Sequence, residues 1–354
     1  MRNLDDAISI AKIDQQNMLS QINSLPDQLE TAWKLSSGFE LPVWKNIRSI
    51  LICGMGGSAI GGDLLSAYAA QTCKVPIVIQ RDYGLPAWVN DSQTLVIASS
   101  HSGNTEETLH AFRHALESGA ICMAVTTGGE LEEIAITACT PLWKFHHIGQ
   151  PRAAVGYSFT FLLAILAKLD LIPDPQGELI SAVEAMRLQQ QTLLASVPVV
   201  QNRAKRYAGQ LMGRMAVVFG SGLLSPVARR WKTQINELAK AWAQYDCLPE
   251  ADHNTLAGAA EPEALLSSMM ALFLRCPADD ERNRLRSDNT RRALMLQGIN
   301  TDFLDARGDN PLSYLWTALH LGDYISFYLA LGYGIDPTSV EAIVNFKQEM
   351  INGG

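Results

Sequence analysis

Short apolar runs that end in glycine- or serine-rich turns and pass straight into helical periods limit this chain to few architectures. Ile47–Cys53 reads as a strand and Ser58–Ala70 as a helix, joined through Gly54-Met55-Gly56-Gly57. Pro76–Gln80, Thr94–Ser99 and Ala120–Thr126 read as further strands and Thr105–Glu117 as a helix. Leu142–Phe145 reads as a last short strand before the apolar helix Ala154–Leu169. Strands this apolar are buried on both faces, and the helices between them supply the crossovers of a parallel sheet. Pro173–Gly177 interrupts the pattern. After helix-like sequence at 178–212 the rhythm restarts at Met215–Gly220, where Gly220-Ser221-Gly222 opens a helix predicted from Pro226 to Tyr245. Leu265–Leu274 and Gly298–Leu304 read as later strands around a charged helix at Asp280–Leu296. Helices near Pro311–Leu331 and Thr338–Ile351 end the chain.

At 354 residues the chain exceeds what one core holds, since single cores stop growing near ~250–300 residues. The expectation is therefore an α/β fold with two similar domains in tandem, each a parallel sheet flanked by helices. The first spans 1–175 with a helix-like leader at 3–35, and the second spans 176–354 with the closing helices.

The balance of 28 basic and 36 acidic residues gives a net charge of −8. A nucleic-acid binder needs a basic face that displaces counterions, and a membrane-surface protein needs an excess of Lys and Arg. Neither class fits. Met1–Asp6 lacks the basic and apolar regions of a secretory signal, and the longest apolar stretch, Phe159–Ile172, is broken by Lys168 and Asp170. The 6 cysteines form no C-x-x-C and stand beside no histidine at zinc-ligand spacing. They read as buried, reduced core residues of a cytoplasmic protein without a structural metal.

Two turns carry chemistry. Gly54-Met55-Gly56-Gly57-Ser58-Ala59 lets backbone approach a ligand while the following helix aims its free N–H groups at the same spot. Taken literally, Gly54-x-Gly56-x-x-Ala59 fits the dinucleotide fingerprint. That ligand also requires an acidic residue at the end of the second strand, and Gln80, Arg81 and Asp82 come late and mixed in charge. A tight structural turn is the other reading. The second turn runs Ser99-Ser100-His101-Ser102-Gly103-Asn104-Thr105-Glu106-Glu107 and opens directly into a helix. The hydroxyls of Ser100, Ser102 and Thr105, a glycine and a helix N-terminus converge there on a small volume. That suits a phosphate monoester, whose negative charge the helix dipole favours. An ordinary cap, with Asn104 or Ser102 at the N-cap, explains Glu106 and Glu107 but not three crowded hydroxyls. A dinucleotide fold has no use for this second loop.

With both loops in view, the chain resembles the sugar isomerase (SIS) domain, and more narrowly the bifunctional phosphoglucose/phosphomannose isomerases of prokaryotes. The narrower resemblance is carried by Pro151-Arg152-Ala153-Ala154-Val155-Gly156-Tyr157 and by Arg230-Trp231-Lys232-Thr233-Gln234-Ile235-Asn236-Glu237-Leu238-Ala239-Lys240. Asp252-His253-Asn254, Gly322–Ala330 and Asp336-Pro337-Thr338 add to it, in order over residues 45–350. It implies two SIS-type domains and an aldose–ketose isomerase that needs no metal or cofactor. The implied substrates are glucose 6-phosphate and mannose 6-phosphate, interconverted with fructose 6-phosphate through a cis-enediol in a homodimer with shared active sites.

The resemblance also implies roles. Gly57, Ser58, Ser100, Ser102 and Thr105 would hold the phosphate, and Arg152 the negative charge of the enediolate. Glu237 would move the proton between C1 and C2, while His253, reaching across from the neighbouring subunit, opens the sugar ring with help from Lys347. From the residues alone each has a plainer reading. Glu237 fits a helical ion pair with Lys232 or Lys240, His253 a satisfied loop histidine, and Arg152 and Lys347 surface cations. The chain departs from the family pattern at Ala59, His101, Asp252 and Thr255. The first two add bulk near the sugar, and Asp252 is an acidic neighbour able to raise the pKa of His253. His110 and His114 read as a surface pair without a third ligand, His146 and His147 as opposite faces of a strand, and His320 as core. Two readings compete with the isomerase: a non-catalytic sugar-phosphate sensor, expected to have lost Glu237 or His253, and a nicotinamide dehydrogenase.

Overall fold

The computed structural model describes residues 2–353 and contains nine strands in two wholly parallel sheets among those residues. The strands are β1 (Ser49–Cys53), β2 (Ile77–Gln80), β3 (Thr94–Ser100), β4 (Ile121–Thr126), β5 (Leu142–Lys144), β6 (Met215–Ser221), β7 (Ala243–Leu248), β8 (Met269–Arg275) and β9 (Asn300–Asp305). Their orders are β2-β1-β3-β4-β5 and β7-β6-β8-β9. Helices flank both sheets, so the α/β expectation of two parallel sheets holds.

The first sheet belongs to a compact unit of Ser24–Met186 with Gly308–Leu315. Every residue of β3 is buried, as a strand covered on both faces requires. On one face Leu51, Val96, Ala98 and Ala124 pack with Phe112 of the helix Glu106–Glu117 and with Leu131 and Ala135 of the helix Gly129–Thr137. On the other, Gly62 of the helix Gly56–Ala69 lies against Ile52 and Ile79, and Gly61 against Ser158 and Phe159 of the helix Val155–Lys168. The helix Gly129–Thr137 went unrecognised in the sequence because it is short and opens on glycine.

The second sheet belongs to a unit of Arg187–Arg307, the residues from Trp316 on, and those up to Asn23. The break expected at Pro173–Gly177 is thus a turn between the helices Val155–Lys168 and Gln176–Gln190 inside the first unit's span. The leading residues, expected to belong with the first sheet, cluster with the second. Lys205, whose side chain is wholly buried, explains why. Its Nζ donates to Asp5 Oδ1 and to the carbonyls of Ala195 and Val197, each at 2.8 Å. Tyr324 also donates to Asn23 Oδ1, and Gln190 Nε2 donates to the Asn23 carbonyl at 3.0 Å.

One predicted element needed division. The helix expected from Pro226 to Tyr245 stops at Ala239, where Lys240 turns left-handed (φ 51°) and Asn236 Nδ2 caps the Ala241 carbonyl at 2.8 Å. β7 then begins at Ala243 without any glycine or proline to announce it. The strand expected at Leu265–Leu274 starts later, because Glu263–Leu266 is a turn of helix. The cysteines are all free, but only Cys53, Cys122 and Cys276 are buried; Cys139 is exposed. Among the described residues no helix is long and apolar enough to cross a membrane.

His320 is fully buried, as expected, and faces the Ile22 carbonyl through Nε2 at 3.0 Å, while its Nδ1 has no partner. Burial pushes its pKa down to about 4. The unfolded chain binds a proton below about 6.5 and the folded chain does not until about 4. Stability from this group is therefore complete above pH 6.5 and falls by about 3 kcal/mol as the pH drops to 4. Urea unfolding of wild type and His320→Gln at pH 7 and 4.5 checks it: the advantage of wild type must shrink at the lower pH.

Candidate active site

In the sheet order β2-β1-β3-β4-β5, the chain reverses direction of winding between β1 and β3, and ligands of such sheets bind beyond the carboxyl ends at that point. Both candidate loops leave the sheet there. The helix Gly56–Ala69 starts after Met55, which makes no side-chain capping bond. The helix Glu106–Glu117 starts after Thr105, which makes none either. The capping alternative is corrected on this point: Asn104 Oδ1 accepts from the Glu130 N–H at 2.9 Å, at the start of the neighbouring helix. Two helix N-termini without a side-chain cap therefore stand at this end of the sheet, where their free N–H groups favour an anion.

The serine loop is shaped from within. Ser100 Oγ lies 3.1 Å from Thr105 Oγ1 and accepts from the Gly103 N–H at 3.1 Å. Ser102 is exposed, with its Oγ accepting from the Asn104 N–H at 3.2 Å, and Ser58 and Ser100 are buried. Gly103 is left-handed (φ 67°), and a methyl group there would overlap the Gly128 carbonyl. The loop is tied to the end of β4 as well, since Thr127 Oγ1 donates to the His101 carbonyl at 2.7 Å.

Arg152 sits in the short turn Pro151–Ala153 and is 6 % exposed, not a surface cation. Its Nη1 donates to Gln150 Oε1 at 3.2 Å. The turn abuts the first loop: a Cβ on Gly57 would stand 2.9 Å from the Pro151 carbonyl oxygen. Gly57 thus lies beside the Arg152 turn, and Ser100 beside Thr105, on the two loops that leave β1 and β3. His101 contributes something sequence reasoning missed, for its Nε2 lies 2.9 Å from His147 Nδ1, in a loop and not on a strand. Burial first, and then the neighbouring ring, lowers the His101 pKa to about 4. The rings of His110 and His114 lie 4.2 Å apart, tilted by 56°, and His110 Nδ1 accepts from the Gly84 N–H.

The dinucleotide alternative loses ground here. β2 ends at Gln80, and Arg81 is engaged by the Asp63 carboxylate and the Ala59 carbonyl. No acidic residue occupies the strand end where a ribose needs one.

The second unit distributes its candidates. Glu237 is half-buried near the end of the helix Ser225–Ala239, which runs back along β6; twelve residues place it about 18 Å from the helix start. Ala239 and Lys240 there share a surface hollow with Arg214 and Met215, at the amino ends of the strands. His253 is exposed in the turn Glu250–His253 after the carboxyl end of β7. Glu237 and His253 of one chain thus lie at opposite ends of the second sheet. Lys347 is exposed on the helix Glu341–Gly353. Lys240 donates to the carbonyls of Leu238 and Asp336. Asp252 turns to Arg286 Nη1 at 2.8 Å and Thr290 Oγ1 at 2.6 Å, so its charge is compensated by Arg286. Thr255 Oγ1 donates to the Asp246 carboxylate.

Residues 200–350 match the family model described as bacterial phospho-glucose isomerase C-terminal SIS domain. A bifunctional phosphoglucose/phosphomannose isomerase from Caldicellulosiruptor bescii is 37 % identical over 337 residues, covering 94 % of this chain and 98 % of the relative. One from Aquifex aeolicus is 32 % identical, covering 91 % and 99 %. In fold, the chain is similar to the crystal structure of a glucose-6-phosphate isomerase like protein from Thermus thermophilus, with a TM-score of 0.64, 20 % identity, and coverage of 96 % and 99 %. Near-complete coverage of two relatives that are 37 % and 32 % identical and share one name leads to one conclusion: this chain belongs to the bifunctional phosphoglucose/phosphomannose isomerase family.

Proposed function

We propose that the protein interconverts glucose 6-phosphate and mannose 6-phosphate with fructose 6-phosphate in the cytoplasm, as a homodimer. The observation that supports the sugar-phosphate reading is the pair of helix N-termini after β1 and β3, neither capped by a side chain, with Ser58, Ser100, Ser102 and Thr105 on or beside the same two loops. Phosphate binds there, and Arg152, fixed and nearly buried, stabilises the enediolate charge.

The proton work falls to the second unit. His253, assisted by Lys347, protonates the ring oxygen as the ring opens. Glu237 takes the C2 proton of the open aldose to give the enediolate, a proton passes from O2 to O1, and Glu237 returns its proton at C1 to leave the ketone at C2. Glucose and mannose phosphates differ only at C2 and pass through the same enediolate. The separation of Glu237 and His253 along one sheet favours His253 serving the Glu237 of a second copy.

Chelator-treated protein is expected to form fructose 6-phosphate from both aldoses in a coupled assay; failure with both removes the reading. Shared sites have their own test. Glu237→Gln and His253→Asn, each inactive alone, should recover about a quarter of wild-type activity after mixing and reassociation, because each mixed dimer holds one intact site. No recovery would argue for sites built within one chain.

A further inference from the structure

The helix that carries Glu237 is anchored by a buried charge pair that the mechanism does not use. Arg230 and Asp323 have side chains 1 % and 3 % exposed. Arg230 Nε donates to Asp323 Oδ1 at 3.2 Å and Nη2 to Oδ2 at 2.9 Å, a two-pronged contact. The next residue, Trp231, donates Nε1 to the Ala318 carbonyl at 2.9 Å, and Gly322 lies flat against its indole, where any side chain would overlap the ring. Ala318, Gly322 and Asp323 share the helix Pro311–Tyr333, so three contacts join the two helices within one turn and a half.

Such a pair is poor as a source of stability, because desolvating two charges cancels most of their attraction. Its strength is geometric. A planar guanidinium gripping a carboxylate with two parallel bonds fixes both the rotation and the slide of its helix. Seven residues separate Arg230 from Glu237, close to two helical turns, so both project from one face about 10.5 Å apart along the axis. Gln234, buried between them, continues the same polar stripe. A rotation error at Arg230 is therefore carried to Glu237 with little loss.

We infer that Arg230 and Asp323 are positioning residues, which hold the Glu237 carboxylate in the orientation that proton transfer requires. The inference rests on Glu237 being the base. Misplacing a catalytic group by about 1 Å costs up to about 100-fold in rate.

The double variant Arg230→Met/Asp323→Leu keeps volume without charge, so its helices still pack. Its kcat is expected to fall about 10- to 100-fold, with KM for fructose 6-phosphate little changed and a thermal midpoint near that of wild type. Arg230→Lys keeps the charge but not the fork, and should lie between the two in kcat. A folded double variant with wild-type kcat overturns the inference, as does loss of kcat and KM in parallel with loss of fold. If the double variant does not fold, Arg230→Lys decides: wild-type kcat overturns the inference, and lowered kcat at unchanged KM supports it. Glu237→Gln separates the two levels. Wild-type turnover in that variant removes the base and its positioning pair together. An inactive Glu237→Gln beside a fully active double variant removes the pair alone.

Discussion

Glu237→Gln is expected to lower kcat for isomerisation by about 10²- to 10⁴-fold, the span that a positioned general base contributes. The amide keeps the shape of the side chain and removes only its capacity to take a proton. KM should change little, since the phosphate contacts proposed above fall to Ser58, Ser100, Ser102 and Thr105 on other elements. Isomerisation run in heavy water gives a second readout, because a base that exchanges its proton with solvent leaves deuterium at C2 or C1. Wild type should incorporate it, and Glu237→Gln should not. Undiminished turnover in the variant would falsify the assignment of the base, whereas intact sugar-phosphate binding with lost turnover separates a catalyst from a sensor.

Gly103→Ala carries the second large effect. Its left-handed backbone costs an ordinary residue about 1–2 kcal/mol, and the added methyl also meets the backbone oxygen of Gly128, which cannot swing aside as a flexible side chain would. That oxygen already accepts from Thr126 Oγ1 at 2.8 Å. Loss of about 3 kcal/mol is expected, with KM for sugar phosphates raised at least about tenfold as the Ser100–Thr105 loop is displaced. Gly119→Ala is the control. It is also left-handed (φ 82°) but open to space, so it should cost about 1 kcal/mol and leave KM unchanged. Equal losses at both positions would show that the Gly128 contact is not what holds the loop.

What could be read in advance followed local chemistry. The strands β1, β3 and β4 are short apolar runs bounded by turn residues, and the crowded hydroxyls of Ser100, Ser102 and Thr105 have a physical motive visible in one dimension. β7 did not, since Ala243–Leu248 follows a helix with no breaker, and the left-handed turn falls on Lys240, a residue type that does not announce it. The ownership of the leading residues was equally hidden. Nothing beside Lys205 in the sequence points to its three acceptors, two of them backbone carbonyls and the third the distant Asp5. Asp252 shows the same limit: its effect on His253 was judged from adjacency, but Arg286 and Thr290 hold its carboxylate. Short-range pattern reveals where a loop or helix starts; which distant partner compensates a charge is a property of the folded chain.

The clamp of Lys205 on Asp5 also orders events during synthesis. The two residues are 200 positions apart, and a ribosome adding ~5–20 residues per second needs about 10–40 s to cover that interval. All five strands of the first sheet are made within that interval, before β6 exists. Asp5 is thus made 200 residues before the cation that compensates it, and a whole sheet is synthesised in between.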